Sequence, residues 1–504
     1  MTLAVNKPAI SSVRTKGQVW TPRWVADAMA VLLRENLGNG LLDPAIGPGV
    51  LVAACRDISE SPLNVSAFEI DEEVVSHKHS PEGFSVDEIA NFSLTSFIED
   101  KRDFKVGAVI ANPPYLRHHK ITAEIKARCQ EIVQSELGIK IDARAGLHIY
   151  FLVKSLAHLN DGGRLVFLLP ADTFEGVFAH SLWTAISERY KIDGVITLSS
   201  DVAAFPGVDT NALIVSISNN KPEANMVWTC WAGETREQFA LAVDAAFTHN
   251  FEKARALGLM SEDVSIQTAI TRGFTRSQTQ PDVEGIPFTQ IARAVRGIAT
   301  GGNDFFAFTR ARITENNLNL KDFVRTVVRV RDVPGGELTD EDLDALDSAG
   351  RPTYLLSIDA STKMTEELKA YLKIGEDSGL SKGALVSARK NWFFMEKREH
   401  VPILFAYLGR RNTRFIRTRC EIAPLTGFLC VYPLRGVDPD MLCVALNHPS
   451  TILELAKVGK SYGDGAIKVE PGGLRKLIVP FEAIRASGIK IQESVEPLAL
   501  ALDF

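Results

Sequence analysis

The 504-residue sequence contains few cysteines and no long apolar stretch. Its six cysteines are scattered and form no Cys-x-x-Cys pair, so the sequence predicts neither a zinc site nor a disulfide framework. No apolar run reaches the roughly 18 residues that a membrane span requires. The first residues also lack the apolar core of a secretory signal. We therefore expect a cytoplasmic protein that contains no metal and does not enter a membrane.

Two common phosphate-binding patterns are also missing. The glycine-rich segment Asp43–Gly49 follows a short apolar run, but it matches neither Gly-x-Gly-x-x-Gly nor a Gly-Lys-Ser/Thr loop. The carboxylate of Asp43 would repel a phosphate and attract a cation, such as the amino group of a methionine moiety. Glu69 follows about 20 residues later, a spacing typical of a carboxylate that binds ribose hydroxyls. These features favour a nucleoside cofactor with an amino-acid tail over a dinucleotide.

The charge is unevenly distributed. The formal net charge is −6, which argues against a protein coated with positive charge. Residues 291–504 carry 30 lysines and arginines against 27 acidic residues, whereas residues 1–290 carry 26 against 35. Ten of these basic residues lie in Lys382–Arg419, where the acidic residues are Glu396 and Glu399. This surplus is suited to a polyanion, but a solvated basic surface is the alternative.

Predicted strands and helices alternate over about the first 220 residues. The strands are short apolar runs with turn residues after them, and they end near Leu42, Ile70, Ala111, Leu169 and Leu198. The alternation predicts an α/β fold with a mixed, mostly parallel sheet that is covered on both faces. Because the chain is too long for one core, we expect one domain at residues 1–245, a connecting segment at 246–285 and a second, α+β domain at 286–504.

The tetrapeptide Asn112-Pro113-Pro114-Tyr115 directly follows one of the predicted strands. Two prolines end the strand and stiffen the chain after it. An amide, a fixed carbonyl and an aromatic ring would then lie at the carboxyl edge of the sheet, where open parallel sheets bind ligands. These groups suit a planar base with an exocyclic amino group. Because four residues can also form an ordinary turn, the motif gains its weight from the ordered motifs that precede it.

The ordered motifs resemble the gamma-type DNA adenine-N6 methyltransferases of bacterial type II restriction–modification systems. The resemblance spans about residues 15–220 and is carried by Thr21-Pro22, Asp43–Gly49, Phe68–Asp71 and Asn112–Tyr115. Looser similarity to the recognition domain of that family covers residues 296–306 and 462–476. The resemblance implies a Rossmann-like S-adenosylmethionine-dependent methyltransferase domain at 1–245. It also implies a DNA-binding target-recognition domain at 286–504.

The resemblance further implies a set of residues that bind S-adenosylmethionine. Thr21 and the glycine turn would hold the methionine end, Glu69 the ribose, and the remaining residues the adenine. The implied cofactor-binding residues are Thr21, Asp43, Pro44, Ala45, Gly47, Gly49, Glu69, Ile70, Asn91 and Phe92. The family usually has aspartate at the position of Asn91. An asparagine oxygen can still accept a hydrogen bond, but it carries no charge.

For the target base, the resemblance implies catalysis by Asn112, Pro113 and Tyr115. The Asn112 side-chain oxygen and the Pro113 carbonyl would bind the two hydrogens of an adenine amino group. These contacts would aim the nitrogen lone pair at the sulfonium methyl group. Because that amino group lies inside a duplex, the nucleotide would be flipped out. It would then stack on Tyr115, with Phe205 as a second face, although core packing is the alternative for Phe205.

The expected function is therefore sequence-specific methylation of adenine N6 in double-stranded DNA, which protects host DNA in restriction–modification. We expect a monomer, and any cognate restriction endonuclease would be a separate chain. Two alternatives stay open. A similar motif would also serve methylation of RNA adenine or of a protein glutamine. The chain would be only a DNA-binding module if its transferase half were inactive, but the intact Asn112–Tyr115 motif argues against this.

Overall fold

The computed structural model describes most of the chain between Trp20 and Lys490. The described residues are 20–75, 89, 91–116, 118–175, 178–198, 212–233, 235–274, 283–333, 335–398, 400–406, 408–409, 414–462 and 466–490. The chain divides into two compact units, one comprising Met1–Gln280 with Ser461–Gly465 and the other Pro281–Lys460 with Ala466–Phe504. Within the described ranges, no helix has the length and the apolar sequence that a membrane span requires.

A nine-stranded sheet forms the centre of the first unit. Its strands are β1 (Leu41–Asp43), β2 (Val65–Glu69), β3 (Asn91–Leu94), β4 (Val106–Ala111), β5 (Leu159–Pro170), β6 (Lys191–Leu198), β7 (Ala212–Ser218), β8 (Asn225–Trp231) and β9 (Leu259–Ser265). Across the sheet their order is β3-β2-β1-β4-β5-β7-β6-β8-β9. β1 to β5 pair in parallel, whereas β7 and β9 are antiparallel to their neighbours. The predicted mixed, mostly parallel sheet is confirmed.

Helices surround this sheet, and a hydrophobic core lies on each of its faces. The helices are α1 (Arg23–Val31), α2 (Val50–Ile58), α3 (Glu72–Val75), α4 (Ala123–Leu137), α5 (Leu147–Ala157), α6 (Asp172–Glu175), α7 (Ala179–Arg189), α8 (Phe239–Phe247), α9 (Phe251–Ala256) and α10 (Ile266–Arg272), with 3₁₀ turns at Arg34–Asn39, His118–Lys120 and Arg236–Gln238. In β4, Val109 and Ala111 join one core, whereas Ala108 and Ile110 join the other. This division follows from the alternation of side chains along a strand.

The strand order determines where a ligand can bind. From β1 the chain builds β2 and β3 toward one side of the sheet, and it then places β4 on the opposite side of β1. In open parallel sheets, ligands bind beyond the carboxyl ends of the strands at such a change of direction. Asp43 and Ala111 are the last residues of β1 and β4, so the residues that follow them border this position.

Most of residues 246–285, the predicted connecting segment, lies in the first unit, which extends to Gln280. Its strand β9 pairs antiparallel with β8 over seven residues, from Leu259 to Ser265. Leu259, Ser261 and Val264 are buried while Met260 is exposed. Strand β9 was not predicted, because a strand at the edge of a sheet with one buried face needs few apolar residues. In β9, one of the buried positions is Ser261.

The second unit contains several smaller sheets. Its strands are β10 (Gly285–Pro287), β11 (Ala292–Arg296), β12 (Ala307–Phe308), β13 (Phe323–Arg325), β14 (Glu337–Leu338), β15 (Tyr354–Leu356), β16 (Ile403–Ala406), β17 (Leu408–Gly409), β18 (Phe415–Thr418), β19 (Phe428–Pro433), β21 (Ala466–Lys468) and β22 (Ile478–Pro480), and a further strand, β20, is Lys460–Tyr462. The largest sheet has the order β11-β19-β16-β18-β14, and a smaller one the order β12-β15-β13. Strands in separate sheets, mixed with helices, agree with the predicted α+β class.

Helices of this unit pack beside the sheets. They are α11 (Asn303–Phe306), α12 (Arg310–Glu315), α13 (Asp340–Ser348), α14 (Glu366–Asp377), α15 (Ala384–Ser387), α16 (Pro439–Asn447), α17 (Pro449–Val458), α18 (Pro471–Leu474) and α19 (Phe481–Ser487), with 3₁₀ turns at Phe288–Gln290, Leu320–Asp322, Val330–Asp332 and Leu380–Lys382. Helix α13 begins with a capping box between Thr339 and Asp342, in which side chains satisfy amides that the first turn leaves unpaired.

The basic stretch Lys382–Arg419 is partly neutralised within the second unit. Lys397 forms an ion pair with Asp359, and Arg417 and Arg419 both pair with Asp440. These pairs reduce the positive charge that the stretch can offer to a polyanion. Among the described residues, the surplus of unpaired positive charge is therefore smaller than the composition of the stretch indicates.

The substitution Gly107→Ala is expected to destabilise the first unit, whereas Gly38→Ala is not. A Cβ atom on Gly107 would lie 2.4 Å from the Asn36 carbonyl oxygen and 2.6 Å from the Asn39 Cβ, but a Cβ on Gly38 would have no heavy atom within 4 Å. Overpacking of this kind typically costs about 1–3 kcal/mol. Thermal unfolding followed by circular dichroism should show a lower Tm for Gly107→Ala alone. Equal Tm values for the two variants would contradict the close approach of Asn36–Asn39 to β4.

Candidate active site

A glycine turn joins the end of β1 to α2. Asp43 ends β1, and its Oδ1 accepts a hydrogen bond from the Ala45 amide at 3.1 Å, a local turn that aspartate favours. Gly47 and Gly49 have φ angles of 54° and 81°, which residues with a Cβ rarely adopt. A Cβ on Gly47 would meet nothing within 4 Å, so one side of the turn is open to a ligand.

The carboxylate of Glu69 fixes this turn from the neighbouring strand. Its Oε2 accepts a hydrogen bond from the Gly47 amide at 3.1 Å, and its Oε1 accepts from Ile70 at 2.8 Å and Asp71 at 3.0 Å. A carboxylate has about four acceptor positions. Glu69 therefore both holds the glycine turn and keeps acceptor capacity on Oε2 for a hydroxyl group.

Asp43 is a buried carboxyl group with one unsatisfied oxygen. The side chain is fully buried, and Oδ2 has no hydrogen-bond partner in the described part of the chain. Burial raises the pKa of Asp43 to about 8; the Ala45 amide opposes this shift and Glu69 adds to it. A buried acceptor without a donor is costly, so the site suits a cationic group that would donate to Oδ2.

Two exposed aliphatic side chains lie near Glu69 at the same edge. Ile70 directly follows β2 and is 74% exposed. Leu94, which ends β3, pairs with Glu69 in the parallel register and is 49% exposed. Apolar side chains at the rim of a cleft are suited to the face of an aromatic ring. The sequence predicts a role for Ile70 at this edge but does not single out Leu94.

Asn91 and Phe92, which the resemblance predicts to contact the adenine of the cofactor, lie at the start of β3. Asn91 is the first residue of β3, and its Nδ2 donates to Oδ1 of Asn64, which precedes β2. It therefore lies three residues, or about 10 Å, before the carboxyl end of its strand. Phe92 is half-buried and packs against the core. The residue of β3 that pairs with Glu69 is Leu94, the last residue of the strand.

Asn112 is oriented by a residue from the start of the first helix. Its Nδ2 donates to Oγ1 of Thr21 at 3.0 Å, and Thr21 is buried just before α1. Since the amide nitrogen is bound in this way, Oδ1 is the acceptor end of the amide. The following residue, Pro113, is buried, and its carbonyl oxygen accepts no hydrogen bond from any described residue.

Tyr115 is held at both its hydroxyl group and its ring. The hydroxyl donates to the Leu168 carbonyl of β5 at 3.1 Å, and the ring packs edge-on with His148 at a centroid distance of 5.8 Å. Burial raises the pKa of Tyr115 above its usual value, so the phenol stays neutral. Phe205, the predicted second face for a base, lies outside the described residues.

Comparison with known proteins gives two family matches. Residues 4–254 match the N-6 DNA Methylase family, and residues 275–499 match the C-terminal domain of Type II methyltransferase M.Eco57I. The chain is 25% identical over 472 residues to Type II methyltransferase M.AccI of Acinetobacter calcoaceticus, covering 91% of this chain and 84% of the relative. It is 23% identical over 483 residues to Type II methyltransferase M.XamI of Xanthomonas campestris pv. amaranthicola, covering 92% and 85%.

One solved structure with a similar fold is the type IIL restriction-modification enzyme MmeI in complex with DNA. The TM-score is 0.53 at 14% identity, over 90% of this chain and 65% of the MmeI chain. This chain therefore spans about two thirds of the length of that enzyme, and the likeness concerns the fold alone.

The fold and the carboxyl edge define an S-adenosylmethionine-dependent methyltransferase. The donor set fits this cofactor, because Asp43 Oδ2 lacks a donor, Gly47 leaves room, and Ile70 offers an apolar surface. The two matches together cover nearly the whole chain. The chain belongs to the N6-adenine DNA methyltransferases of restriction–modification systems. It binds DNA and uses S-adenosylmethionine.

The substitution Asp43→Asn is expected to stabilise the cofactor-free protein at neutral pH and to weaken cofactor binding. The pKa of Asp43 is about 8 in the folded protein, against 3.8 for an unperturbed aspartate. Its contribution to stability is fully present below about pH 4 and is lost as the pH rises to about 8, because the unfolded chain releases its proton first. Near pH 7, the free energy of unfolding of the variant should exceed that of the wild type by more than about 1 kcal/mol, since one pKa unit corresponds to about 1.4 kcal/mol.

Tm measurements from about pH 4 to pH 8 test the first part of this prediction, and calorimetric titration with S-adenosylmethionine tests the second. We expect a Tm difference that grows with pH and a Kd at least about tenfold higher. Asp57→Asn is the control, because Asp57 is exposed and pairs with Arg23. A Tm difference that does not change with pH, or unchanged affinity, would be the contrary result.

Proposed function

We propose that this methyltransferase acts on a specific sequence in double-stranded DNA and methylates N6 of an adenine that has been flipped out of the helix. The observation that carries the proposal is the hydrogen bond from Asn112 Nδ2 to Thr21 Oγ1. It presents an oriented amide at the same sheet edge as the Asp43 and Glu69 carboxyl groups. We assign catalysis to Asn112, Pro113 and Tyr115, and cofactor binding to the glycine turn, Glu69, Ile70 and Leu94.

Asn112 and Pro113 act on the weak nucleophile. The amino nitrogen of adenine shares its lone pair with the ring, so it attacks poorly while it is planar. Asn112 Oδ1 and the Pro113 carbonyl accept its two hydrogens, which draws the nitrogen toward tetrahedral geometry and aims the lone pair. S-adenosylmethionine supplies the activated methyl group. Positioned acceptors of this kind lower the barrier because they need no reorganisation during the reaction.

Tyr115 receives the flipped base. Its hydroxyl group is anchored to the Leu168 carbonyl, which fixes the plane of the ring before DNA binds. Stacking of a base on an aromatic ring contributes roughly 1–3 kcal/mol, which offsets part of the few kcal/mol that extrusion costs. We assign the second face of the base to Phe205 by its similarity to the family.

The domain roles follow the division of the chain. We propose that residues 1–245 with the added strand β9 form the methyltransferase domain, and that residues 286–504 form the target-recognition domain. The match of residues 275–499 to a type II methyltransferase C-terminal domain supports this assignment. We further propose that the protein works as a monomer, protects host DNA and has any cognate endonuclease on a separate chain.

The substitution Asn112→Ala is expected to lower methyl transfer by about 100-fold to 1000-fold with little change in cofactor affinity. The assay measures transfer of a tritiated methyl group to DNA, RNA and protein offered separately, with DNA as the predicted acceptor. Asn219→Ala is a matched control, because Asn219 binds the Leu159 and Asn160 carbonyls at the start of β5, away from the carboxyl edge. Transfer to RNA or protein alone, or full activity of Asn112→Ala, would refute the proposal.

The substitution Thr21→Val tests the orientation of Asn112. Valine keeps the shape of threonine but removes the Oγ1 acceptor, so the amide loses its anchor. With saturating cofactor, we expect the single-turnover rate constant to fall about tenfold, in line with the loss of one side-chain hydrogen bond. Thr21→Ser keeps the hydroxyl group and should restore most of the rate. If serine and valine gave the same rate, the hydrogen bond would not be the cause.

A further inference from the structure

The side chain of His148 is buried beside Tyr115 and forms no hydrogen bond with the described residues. It is the second residue of α5 and is 7% exposed. Neither ring nitrogen, Nδ1 or Nε2, has a hydrogen-bond partner in the described parts of the chain. Burial lowers the pKa of His148 to about 3, so the ring is neutral at physiological pH. A neutral imidazole has one N–H donor and one acceptor, and leaving both unsatisfied in a buried position is costly.

The position of the ring is determined by the backbone around it. The Leu147 amide donates to the Leu116 carbonyl at 3.0 Å, which ties the start of α5 to the residue after Tyr115. Gly146 makes room for the imidazole, because a Cβ there would lie 2.6 Å from the His148 Cε1. The ring is thus held against the aromatic side chain that we assign to the target base.

A second buried histidine in the same helix shows the contrast. His158 follows the last residue of α5 and is 5% exposed. Its Nδ1 forms a hydrogen bond with the Phe104 carbonyl at 2.8 Å, and its ring packs on Phe97 and Phe104. His158 is therefore satisfied by the fold. His148 has similar burial but no such partner among the described residues, so a bound ligand could supply one.

We propose that His148 is a further residue that binds the target base, through an imidazole N–H that donates to a ring nitrogen of the flipped adenine. The inference depends on the proposed function, because it places the base against Tyr115. Asn112 and Pro113 take the hydrogens of the amino group, which leaves the ring acceptors N1, N3 and N7 without donors. With a donor at His148, the protein recognises the ring nitrogens of adenine in addition to its amino group.

The first test changes the base and uses the unmodified protein. Duplexes carry 1-deaza-, 3-deaza- or 7-deazaadenine at the target position, and each analogue replaces one ring nitrogen with C–H. We expect one analogue to slow single-turnover methylation about tenfold, because the His148 donor then stays unsatisfied. If none of the three analogues slows the reaction, no donor reads the ring and the inference is wrong.

The second test identifies the donor by a double-mutant cycle. His148→Phe keeps an aromatic ring against Tyr115 but removes the N–H. It should slow methylation of adenine about as much as the sensitive analogue slows the wild type, and the analogue should cause no further loss in this variant. His148→Gln retains an N–H donor and should keep part of the discrimination. It also replaces the phenylalanine variant if that variant does not fold.

His158→Phe is the matched control. It removes a buried histidine of the same helix and should lower Tm, but it should leave the ratio of the rates on adenine and on the sensitive analogue unchanged. If His148→Phe and the analogue slow methylation independently, so that their effects on the rate multiply, the inference is wrong while the proposed function stands. Failure of the wild-type protein to methylate any DNA would instead overturn the proposed function.

Discussion

The parallel pairing of β1 with β2 and β4 is the constraint on which the site depends. Because parallel strands end at the same edge, Asp43, Glu69 and Asn112 meet there although they are far apart in the sequence. Glu69 then binds the Gly47 amide, so the second strand holds the turn that leaves the first. One sheet register thus brings together the turn that we propose to bind the cofactor, the carboxylate behind it and the amide that we propose to be catalytic.

Two buried polar side chains of the site have hydrogen-bonding atoms that the described residues do not pair. Among the residues that the structure describes, no group donates to Oδ2 of the buried Asp43, and none pairs with either ring nitrogen of His148. Each of these groups costs stability in the free protein. A cationic amino group would satisfy Asp43, and a base with ring acceptors would satisfy His148. Groups that are costly to bury in the free protein would therefore gain partners when ligands bind, which adds to the binding free energy.

Site residues at or just after the ends of clearly apolar strands could be predicted from the sequence, but the residue that the short, partly polar strand β3 brings to this edge could not. Asp43, Glu69 and the Asn112–Tyr115 motif follow clear apolar runs, and the structure brings Asp43, Glu69 and Asn112 to one edge. The stagger between β2 and β3 decides which residue stands beside Glu69, and the sequence did not indicate that this residue is Leu94. The sequence gave no signal for His148, because the observation that singles it out is the lack of hydrogen-bond partners among the described residues of the folded chain.

The central claim is that Asn112 Oδ1 and the Pro113 carbonyl bind the amino group of an extruded adenine. The most direct measurement is a crystal structure with duplex DNA and a non-reactive analogue of S-adenosylmethionine. The account predicts the target adenine outside the helix, with N6 about 3 Å from both oxygens and the analogue beside Asp43 and Glu69. An adenine that stays paired, or an extruded base whose N6 contacts neither oxygen, would contradict it.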